Sequence, residues 1–496
     1  MGLKSTLLKP YARYVSNKIH RDSKRAVEIQ EKTLLKNIRY AEKTAFGKDH
    51  LFHQIKNYSD YKNQVPIREY PALKKYIDRF VNGEKDVLWP GLPKYIIGTA
   101  GTTGGIKHIP LSKESIPFHL KAGTHAGLSY AYRNNLMDMF DGKLIFLSGS
   151  PALGKIGSIP TGRLSGIVNH EIPSWLRNSQ LPSIETNCIP DWIEKIHHIV
   201  LETHKQDLRM ISGIPPWIVM YLEKLLEYTG KKNVIDVFPN LRLLIHGGVS
   251  YKPYQSIINN LIGAPIAFLE TYPSTEGFIA FQDGHPDEGM LLNSNGGVFF
   301  EFVPADEIFN KNPTRLHLRD IKLDTNYAVI INNNAGLWGS IIGDTIKFSS
   351  KNPYRLFFTG RIAQYLSAFG EHIISSNVED AIRRTVDQTK IEVKEFTVAP
   401  YIDQEICQHH WLIEYQNGHG NMAQFEKILD QEMQKENFHY RDLVAGKIIQ
   451  PLKITAIKKD GFRQYLYSQG KLGGQNKVPR LSNDYHIVNQ LMQFAE

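Results

Sequence analysis

The amino-acid sequence predicts an α/β protein with two unequal parts, and three observations support this fold class. Short apolar runs alternate with amphipathic stretches before residue 290, which is typical of a mostly parallel sheet covered by helices. From about 290 to 348 the chain becomes rich in strand formers, which predicts an antiparallel β-rich subdomain. After Gly360 the pattern starts again. We therefore expect a large domain over residues 1–358 and a small, mobile α+β domain over 359–496.

The helices of the large domain are predicted where apolar residues recur at helical spacing. Residues 24–44 carry such a face, and Ser112 is a plausible N-cap for a helix that runs to Arg133. Further helices are expected over 191–206 and 217–229. Glycine and proline bound the apolar runs between these helices, and these runs predict strands at Leu144–Leu147, Leu241–Ile245 and Ile266–Leu269.

The small domain is predicted to have the order β-α-β-β-α-β, which is typical of a split βαβ fold. The six predicted elements are a strand at Tyr365–Ile374, a helix at 376–388, strands at 391–400 and 409–416, a helix at 421–436 and a strand at 451–458.

Composition excludes several classes of protein. The 59 Lys and Arg residues exceed the 50 Asp and Glu residues, but they are dispersed, so we expect no nucleic-acid partner. No apolar run approaches the roughly 18 residues of a membrane span, and we expect no membrane partner. The N-terminus lacks the apolar stretch of a secretory signal. Only Cys188 and Cys407 occur, which excludes a disulfide framework and predicts a cytoplasmic protein.

The most informative segment is the glycine- and threonine-rich loop within residues 95–110. Four glycines allow the backbone to approach an anion, while three threonine hydroxyls and Lys107 supply donors. The loop is not a Walker A motif, because Ile106 precedes the lysine, and it contains no GxGxxG pattern. Phosphate binding and a simple surface turn both remain open on this pattern alone.

Four later blocks decide between these readings. Residues 271–277 read Thr-Tyr-Pro-Ser-Thr-Glu-Gly, residues 343–348 read Gly-Asp-Thr-Ile-Lys-Phe, residues 359–373 begin Thr-Gly-Arg-Ile-Ala, and residues 473–481 include Asn-Lys-Val-Pro-Arg. In this order the blocks resemble the signature of acyl-adenylate-forming enzymes. They are most similar to the Gretchen Hagen (auxin-responsive promoter) family of acyl acid–amido synthetases, which has bacterial members. The sequence departs from that pattern at Ala100 and Ala363.

The resemblance implies that ATP and Mg²⁺ are the cofactors, and it assigns a role to each motif. Asp344 would bind the ribose, Arg361 would reach the ribose or a phosphate, and Glu276 would hold Mg²⁺. Lys477 would meet the α-phosphate during adenylation, so Lys477, Glu276 and Thr102 are the expected catalytic residues. The remaining ATP-binding residues would be Thr99, Gly101, Thr103, Gly104, Lys107, Tyr272, Ser274 and Thr275.

The acyl-binding walls are less specific in sequence. Aromatic residues and strand-end glycines would suit a hydrophobic carboxylic acid, although each aromatic residue could equally belong to the core. The expected wall residues are Tyr132, Arg133, Pro216, Trp217, His246, Gly247 and Gly248.

The reaction that the resemblance implies has two steps. A carboxylic acid is adenylated by ATP, and an amine, expected to be an amino acid, then takes the acyl group to form an amide. Two alternatives remain open at this stage. One is an acid–thiol ligase that uses coenzyme A, and the other is a non-catalytic nucleotide-binding protein of the same fold.

Overall fold

The chain forms two compact units, the first made of Met1–Val249 and Asn259–Phe358 and the second of Ser250–Ile258 and Thr359–Glu496. The computed structural model describes residues 2–100, 106–172, 177–248, 251, 254–308, 310–362, 365–366, 368–369, 373–402, 406–446, 448–470, 478–482 and 485–496.

The helices up to residue 262 are short to medium in length, and most carry one buried face. They are α1 (Leu3–Lys24), α2 (Ala26–Ala41), α3 (Ala45–Asp49), α4 (Tyr58–Gln64), α5 (Tyr70–Val81), α6 (Ile116–Arg133), α7 (Leu164–Glu171), α8 (Ile184–Asn187), α9 (Trp192–Thr203), α10 (Pro215–Thr229) and α11 (Gln255–Ile262).

The strands up to residue 361 form two sheets. They are β1 (Tyr95–Ala100), β2 (Ile106–Leu111), β3 (Lys143–Phe146), β4 (Gly154–Ile156), β5 (Ile159–Gly162), β6 (Gln180–Leu181), β7 (Leu208–Gly213), β8 (Leu243–Gly247), β9 (Ala267–Pro273), β10 (Phe278–Phe281), β11 (Met290–Leu292), β12 (Val298–Pro304), β13 (Asn326–Asn333), β14 (Ser340–Lys351) and β15 (Tyr354–Arg361).

The larger sheet has a parallel half and an antiparallel half. Its order is β12-β13-β14-β15-β11-β10-β9-β8-β7-β3-β6, and neighbouring strands from β9 to β6 pair in parallel. The pairs β9–β10, β10–β11 and β12–β13 are antiparallel. The smaller sheet has the order β2-β1-β5-β4, with β1 and β5 parallel. The predicted α/β class with a β-rich subdomain is confirmed.

Helix α1 was not expected from the sequence. Four of its five buried residues are serine or alanine, and Val15 is the one larger apolar residue among them, so the apolar periodicity that marks a packed helix is weak. The buried residues are Ser5, Ala12, Val15, Ser16 and Ser23. Asp141 accepts hydrogen bonds from the backbone N–H groups of Gly2 and Ser5, at 2.7 and 3.0 Å, and thereby caps the first turn.

The second unit has a sheet of order β18-β19-β20 with helices packed on it. Its elements are β16 (Tyr365–Leu366), β17 (Ile373–Ile374), α12 (Ser375–Thr389), β18 (Val393–Ile402), β19 (Cys407–Tyr415), α13 (Met422–Glu436), α14 (Phe438–Ala445), β20 (Lys453–Ile457), α15 (Gly461–Ser468) and α16 (His486–Leu491).

One predicted strand of the small unit was wrong. The sequence predicts a single strand over Tyr365–Ile374, whereas the described part of this segment forms a separate antiparallel pair, β16 with β17. In the sequence Gly370 interrupts the apolar run, and a glycine inside a strand pattern makes one continuous strand less favourable.

Among the helices of the described residues, none is both long enough and apolar enough to cross a membrane.

Candidate active site

The candidate site lies at one edge of the parallel half of the large sheet. Gly213 of β7 pairs with His246 of β8, and Gly247 of β8 pairs with Thr271 of β9. The carboxyl ends of these parallel strands therefore meet at the same edge. In open α/β sheets, ligands bind in the crevice outside such strand ends.

A tight turn follows β9 and holds Glu276. The N–H of Ser274 donates to the carbonyl of Gly277 at 3.0 Å, which closes the turn into β10. Glu276 Oε2 accepts hydrogen bonds from the hydroxyls of Ser274 and Thr275, the latter at 2.6 Å. Gly277 is required here because a Cβ would lie 2.6 Å from Val298 Cγ2. The turn therefore fixes the carboxylate with its neighbouring hydroxyls.

Tyr272 and Asp344 come together although they lie 72 residues apart in sequence. The Tyr272 hydroxyl donates to Asp344 Oδ2 at 2.7 Å, and its ring meets Phe358 edge-to-face with ring centroids 5.5 Å apart. Gly343 has a φ of +87°, a left-handed conformation that favours glycine directly before the aspartate. The sequence motifs on β9 and β14 thus meet in one place.

At the end of β8 the backbone of the neighbouring strand β9 lies very close to Gly247. A Cβ on Gly247 would lie 2.2 Å from the carbonyl oxygen of Thr271, so no side chain fits there. The Thr271 hydroxyl donates to the carbonyl of His246 at 3.0 Å. Burial lowers the pKa of His246 to about 3, which keeps its imidazole neutral near pH 7. His246 therefore contributes shape and polarity rather than charge.

The glycine- and threonine-rich loop connects β1 and β2. The two strands pair up to Ala100 and Ile106, with Thr99 opposite Lys107 in the backbone register. Lys107 Nζ lies 5.8 Å from the centre of the Tyr70 ring. Gly101, Thr102, Thr103 and Gly104, together with the side chain of Thr99, lie outside the described residues.

The predicted acyl-binding residues do not all lie at the strand-end edge. Helix α6 approaches that edge near Gly123, where a Cβ would be 4.0 Å from Phe278 Cε2. Ten residues later, about 15 Å along the helix, Arg133 pairs with Asp283 at 2.9 Å. Tyr132 packs with the cluster formed by α1 and α6. The structure therefore brings the middle of α6 to the edge rather than its end.

Trp217 and Pro216 lie in the first turn of α10, directly after β7. Trp217 is buried and its ring centre lies 4.5 Å from that of Trp192 on α9. This contact makes Trp217 part of the packing between two helices. Pro216 is partly exposed beside it. Gly248, which follows β8, has a φ of +75° and would place a Cβ 3.5 Å from Ile214.

Two predicted residues belong to the second unit. Arg361 ends β15 there. Lys477 lies outside the described residues, but the segment directly after it runs along β18. The Thr397 hydroxyl donates to the carbonyl of Pro479 at 2.6 Å, and the N–H of Val398 donates to the carbonyl of Arg480 at 2.9 Å. The lysine therefore directly precedes a segment that is anchored to the sheet.

The sequence analysis missed two cations beside the site. Lys195 is 2% exposed on α9, and Arg163 is half-buried between β5 and α7. The position of Arg163, directly after a strand that ends in Thr161-Gly162, was the available signal. The sequence carried no such signal for Lys195, because its position in the pattern of the helix could equally belong to an exposed lysine.

The oxygen ligands of the turn suit a hard cation such as Mg²⁺. The site that they form is open and is not a closed cage of protein ligands. Within the described residues, no group of three or more His, Cys, Asp or Glu side chains could hold a metal. Mg²⁺ at nucleotide sites commonly takes one or two carboxylates and completes its shell with water and phosphate oxygens. Glu276 with its hydroxyl neighbours fits that donor set.

Comparison with protein families identifies three domains in order along the chain. Residues 15–168 match the GH3 family N-terminal domain, residues 291–361 match the GH3 family central domain, and residues 376–486 match the GH3 family C-terminal domain. Together the three matches cover more than half of the chain.

Among curated proteins, the chain is similar to a 4-substituted benzoates-glutamate ligase of Arabidopsis thaliana, at 27% identity over 85% of this chain and 87% of that protein. It is also similar to a jasmonoyl–L-amino acid synthetase of Nicotiana attenuata, at 22% identity over 76% of each.

Among solved structures, an acyl acid amido synthetase named GH3.15 matches with a TM-score of 0.81 at 16% identity, covering 96% of this chain and 95% of that one. A 2-hydroxyisobutyryl-CoA ligase in the postadenylation state matches with a TM-score of 0.57 at 11% identity, covering 97% and 91%. At these sequence identities, both matches show a similarity of fold alone.

Proposed function

The chain belongs to the GH3 family, and from that premise we propose that it is an ATP-dependent acyl acid amido synthetase. It adenylates a carboxylic acid and then transfers the acyl group to an amine, forming an amide. The curated relatives that name an amino acid or glutamate as their partner support an amino acid as the acceptor.

The observation that carries this proposal is the meeting of Tyr272, Asp344 and Glu276 around the end of β9. Tyr272 lies on the strand, Glu276 lies in the turn after it, and Asp344 is bonded to Tyr272. The three groups that we assign to the nucleotide and its metal come from two distant motifs and lie at the carboxyl end of β9. This arrangement supports a nucleotide site.

In the first step a carboxylate oxygen attacks the α-phosphorus of ATP, and the bond to the bridging oxygen of pyrophosphate breaks. The protein contributes mainly position and charge. Asp344 would accept the ribose hydroxyls, and the Tyr272 hydroxyl already orients that carboxylate. Mg²⁺, held by Glu276, would neutralise phosphate charge. The threonines of the β1–β2 loop and Lys107 would bind phosphate oxygens.

In the second step the amine attacks the acyl carbon, and AMP leaves with the bonding electron pair. The nitrogen then loses a proton to give the amide. We place the acyl group at the strand-end edge beyond β7 and β8. Gly247 serves the packing of this edge, because the Thr271 backbone fills the space that a side chain there would need.

One assay tests the reaction class. Carboxylate-dependent ATP–pyrophosphate exchange is measured with a panel of aromatic and aliphatic acids, and the active acids are then offered amino acids or coenzyme A. Exchange followed by amide formation is expected. Thioester formation instead would make the protein an acid–thiol ligase, and ATP binding without exchange for every acid would leave a nucleotide-binding protein.

The assignment of Asp344 is tested with Asp344→Ala against Asp306→Ala, which removes an exposed carboxylate in the short 3-10 helix after β12. Loss of a charge-assisted partner should weaken adenylation by roughly 2–3 kcal/mol in Asp344→Ala. Thr102→Ala should show a loss of the same size. Wild-type ATP affinity in both variants would contradict the assignment.

The metal assignment is tested with Glu276→Gln. Glutamine still accepts hydrogen bonds from Ser274 and Thr275, so the turn should be kept while the anionic ligand is lost. Exchange should vanish at ordinary Mg²⁺ concentration and recover partly at high Mg²⁺. Full activity of the variant without added metal would make Glu276 a structural residue.

Lys477 is tested by separating the two steps. The lysine would act on charge that develops at the α-phosphate, so Lys477→Ala should strongly impair adenylate formation. Transfer from a supplied acyl-adenylate to the amine should change little. Equal loss in both steps would contradict a role confined to adenylation and would also count against a mobile small domain.

A further inference from the structure

Two cations lie together at the edge of the site without a carboxylate partner in the described part of the chain. Lys195 Nζ donates to the backbone carbonyls of Ser148 and Asn187, at 2.9 and 2.8 Å, and is 2% exposed. The half-buried guanidinium of Arg163 makes no hydrogen bond or ion pair with any described residue. The Trp192 ring, whose centre lies 5.2 Å from Lys195 Nζ, and the two carbonyls stabilise the ammonium in part. Buried charge without a carboxylate partner is still costly, so such a pair needs an explanation.

The two side chains flank one peptide unit, Ser148–Gly149. A Cβ on Gly149 would lie 2.9 Å from Arg163 Cδ, so the arginine packs directly against that backbone. The N–H of Gly149 donates to the Ser165 hydroxyl at 3.2 Å, which ties the same peptide to the start of α7. Lys195 therefore holds the segment on which Arg163 rests.

Arg163, Lys195 and the Ser148–Gly149 peptide form a corner beside β1, the strand that leads into the glycine- and threonine-rich loop. Strand β5 runs parallel to β1 and pairs Gly162 with Ile97, so Arg163 follows in register beside Gly98, two residues before the end of β1. Strand β3, which leads to Ser148, is separated from β9 by β7 and β8. Three strand spacings amount to roughly 14 Å. The corner is thus at the end of the edge away from Tyr272 and Asp344.

We infer that Arg163 binds an oxyanion of a substrate and that Lys195 positions it through the Ser148–Gly149 peptide. The inference rests on the proposed ligase reaction, in which two such groups arise, the α-carboxylate of the amino acid acceptor and the phosphate oxygens of ATP. A guanidinium matches the planar oxygens of either group with two parallel hydrogen bonds. The bound anion neutralises a charge that the fold leaves unpaired.

The electrostatics of Lys195 agree with this role. Burial lowers the pKa of Lys195 to about 8, and the charged or titratable groups that act on it in the described structure are Cys188 and Arg163. Since the arginine is a like charge, an arriving anion stabilises both cations at once. Functional sites are where such perturbed groups concentrate.

The first test compares Arg163→Gln with Arg177→Gln. Arg177 lies just beyond the far end of α7, and within the described residues it donates to the carbonyls of Asn169 and Ile172. Its substitution therefore removes the same charge without removing a contact of Arg163 or Lys195. Arg163→Gln should raise the KM of one substrate by roughly 30- to 100-fold with kcat little changed. Arg177→Gln should leave both constants unchanged.

Comparing the KM for the amino acid with the KM for ATP identifies the anion that Arg163 binds. A raised KM for the amino acid, with no penalty for an amine that lacks the carboxylate, assigns the α-carboxylate. A raised KM for ATP in the exchange assay assigns a phosphate. Unchanged KM values for both, in a variant that melts like the wild type, overturn the inference while leaving the ligase function intact. Absence of exchange in the wild type would instead overturn the proposed function.

The positioning role of Lys195 is tested by pH. The ratio of KM between Lys195→Met and the wild type, for the substrate identified above, should be about three to ten at pH 7 and fall towards one above pH 9, as the native lysine loses its proton. Lys195→Arg should keep the low KM at both values. Cys188→Ser serves as the control and should retain the wild-type profile. A ratio that does not change with pH would overturn the role of Lys195.

Discussion

Two buried charge clusters of the large unit differ in one respect, the presence of an acid. Glu301 on β12 is fully buried, and its carboxylate accepts from Arg315 Nε at 2.9 Å, from the Tyr58 hydroxyl at 3.0 Å and from Asn332 at 3.0 Å. Lys195, by contrast, has only backbone carbonyls as hydrogen-bond acceptors in the part of the chain that the structure describes. A saturated ion pair specifies the fold, whereas an unneutralised cation is available to a ligand.

The largest effect is expected from breaking the saturated pair. Glu301→Leu leaves Arg315 buried without its acid and should lower the free energy of unfolding by roughly 3–5 kcal/mol. The double variant Glu301→Leu with Arg315→Met should recover most of this loss, because replacing both partners leaves no unpaired charge. Urea denaturation measures both. Equal midpoints for the single and double variants would contradict a coupled pair.

A smaller effect is expected at the unneutralised cluster, and it depends on pH. The pKa of Lys195 is about 8 in the folded protein, against 10.5 for an ordinary lysine. Between pH 8 and pH 10.5 the folded state therefore binds fewer protons than the unfolded state. The buried charge lowers the free energy of unfolding by its full amount below about pH 8, and this loss disappears as the pH rises towards 10.5. Relative to Lys195→Met, the wild type should gain roughly 1–3 kcal/mol of stability across this window. Urea midpoints from pH 7 to 10 test this, and parallel curves would contradict it.

A cation that shares its acid with another should matter less. Asp283 is paired with Arg133 and also with the more buried Arg355, so Arg133→Ala should cost about 1 kcal/mol or less. The sequence-based role of Arg133 predicts, in addition, a raised KM for the acid. Thermal melting measures the effect on stability. The exchange rate as a function of the concentration of the carboxylic acid measures the effect on KM. An unchanged KM would remove Arg133 from the binding residues.

The smallest effect is expected for an exposed pair. Arg25 Nη2 and Glu28 Oε1 form an ion pair at 2.7 Å, and about half of each side chain is exposed to solvent. Water screens such a pair, and its side chains lose entropy when they are held together. Arg25→Ala should leave the urea midpoint unchanged within error. A clear shift would show that α2 depends on this surface contact.

Local patterns account for most of the fold but not for all of it. Helices α6, α9 and α10 and strands β3, β8 and β9 were predicted because each buries an apolar face whose spacing can be read directly. Helix α1 was missed because serines and alanine line its buried face. Tyr132 and Arg133 lie on the predicted helix α6. Which part of that helix meets the strand ends depends on the direction of the helix across the sheet.

By itself, the amino-acid sequence determined the α/β class, the order of the motifs and the chemical types at the site, because periodicity and turn chemistry are local properties. Only the tertiary structure decided that the hydroxyl of Tyr272 meets Asp344, that Arg315 has an acid, and that Arg163 and Lys195 have none among the described residues. Neutralisation depends on which distant residues strand order and helix packing bring within hydrogen-bonding distance. Contacts between residues far apart in the chain carry no periodic signal, so residue type alone could not separate a structural cation from a binding one.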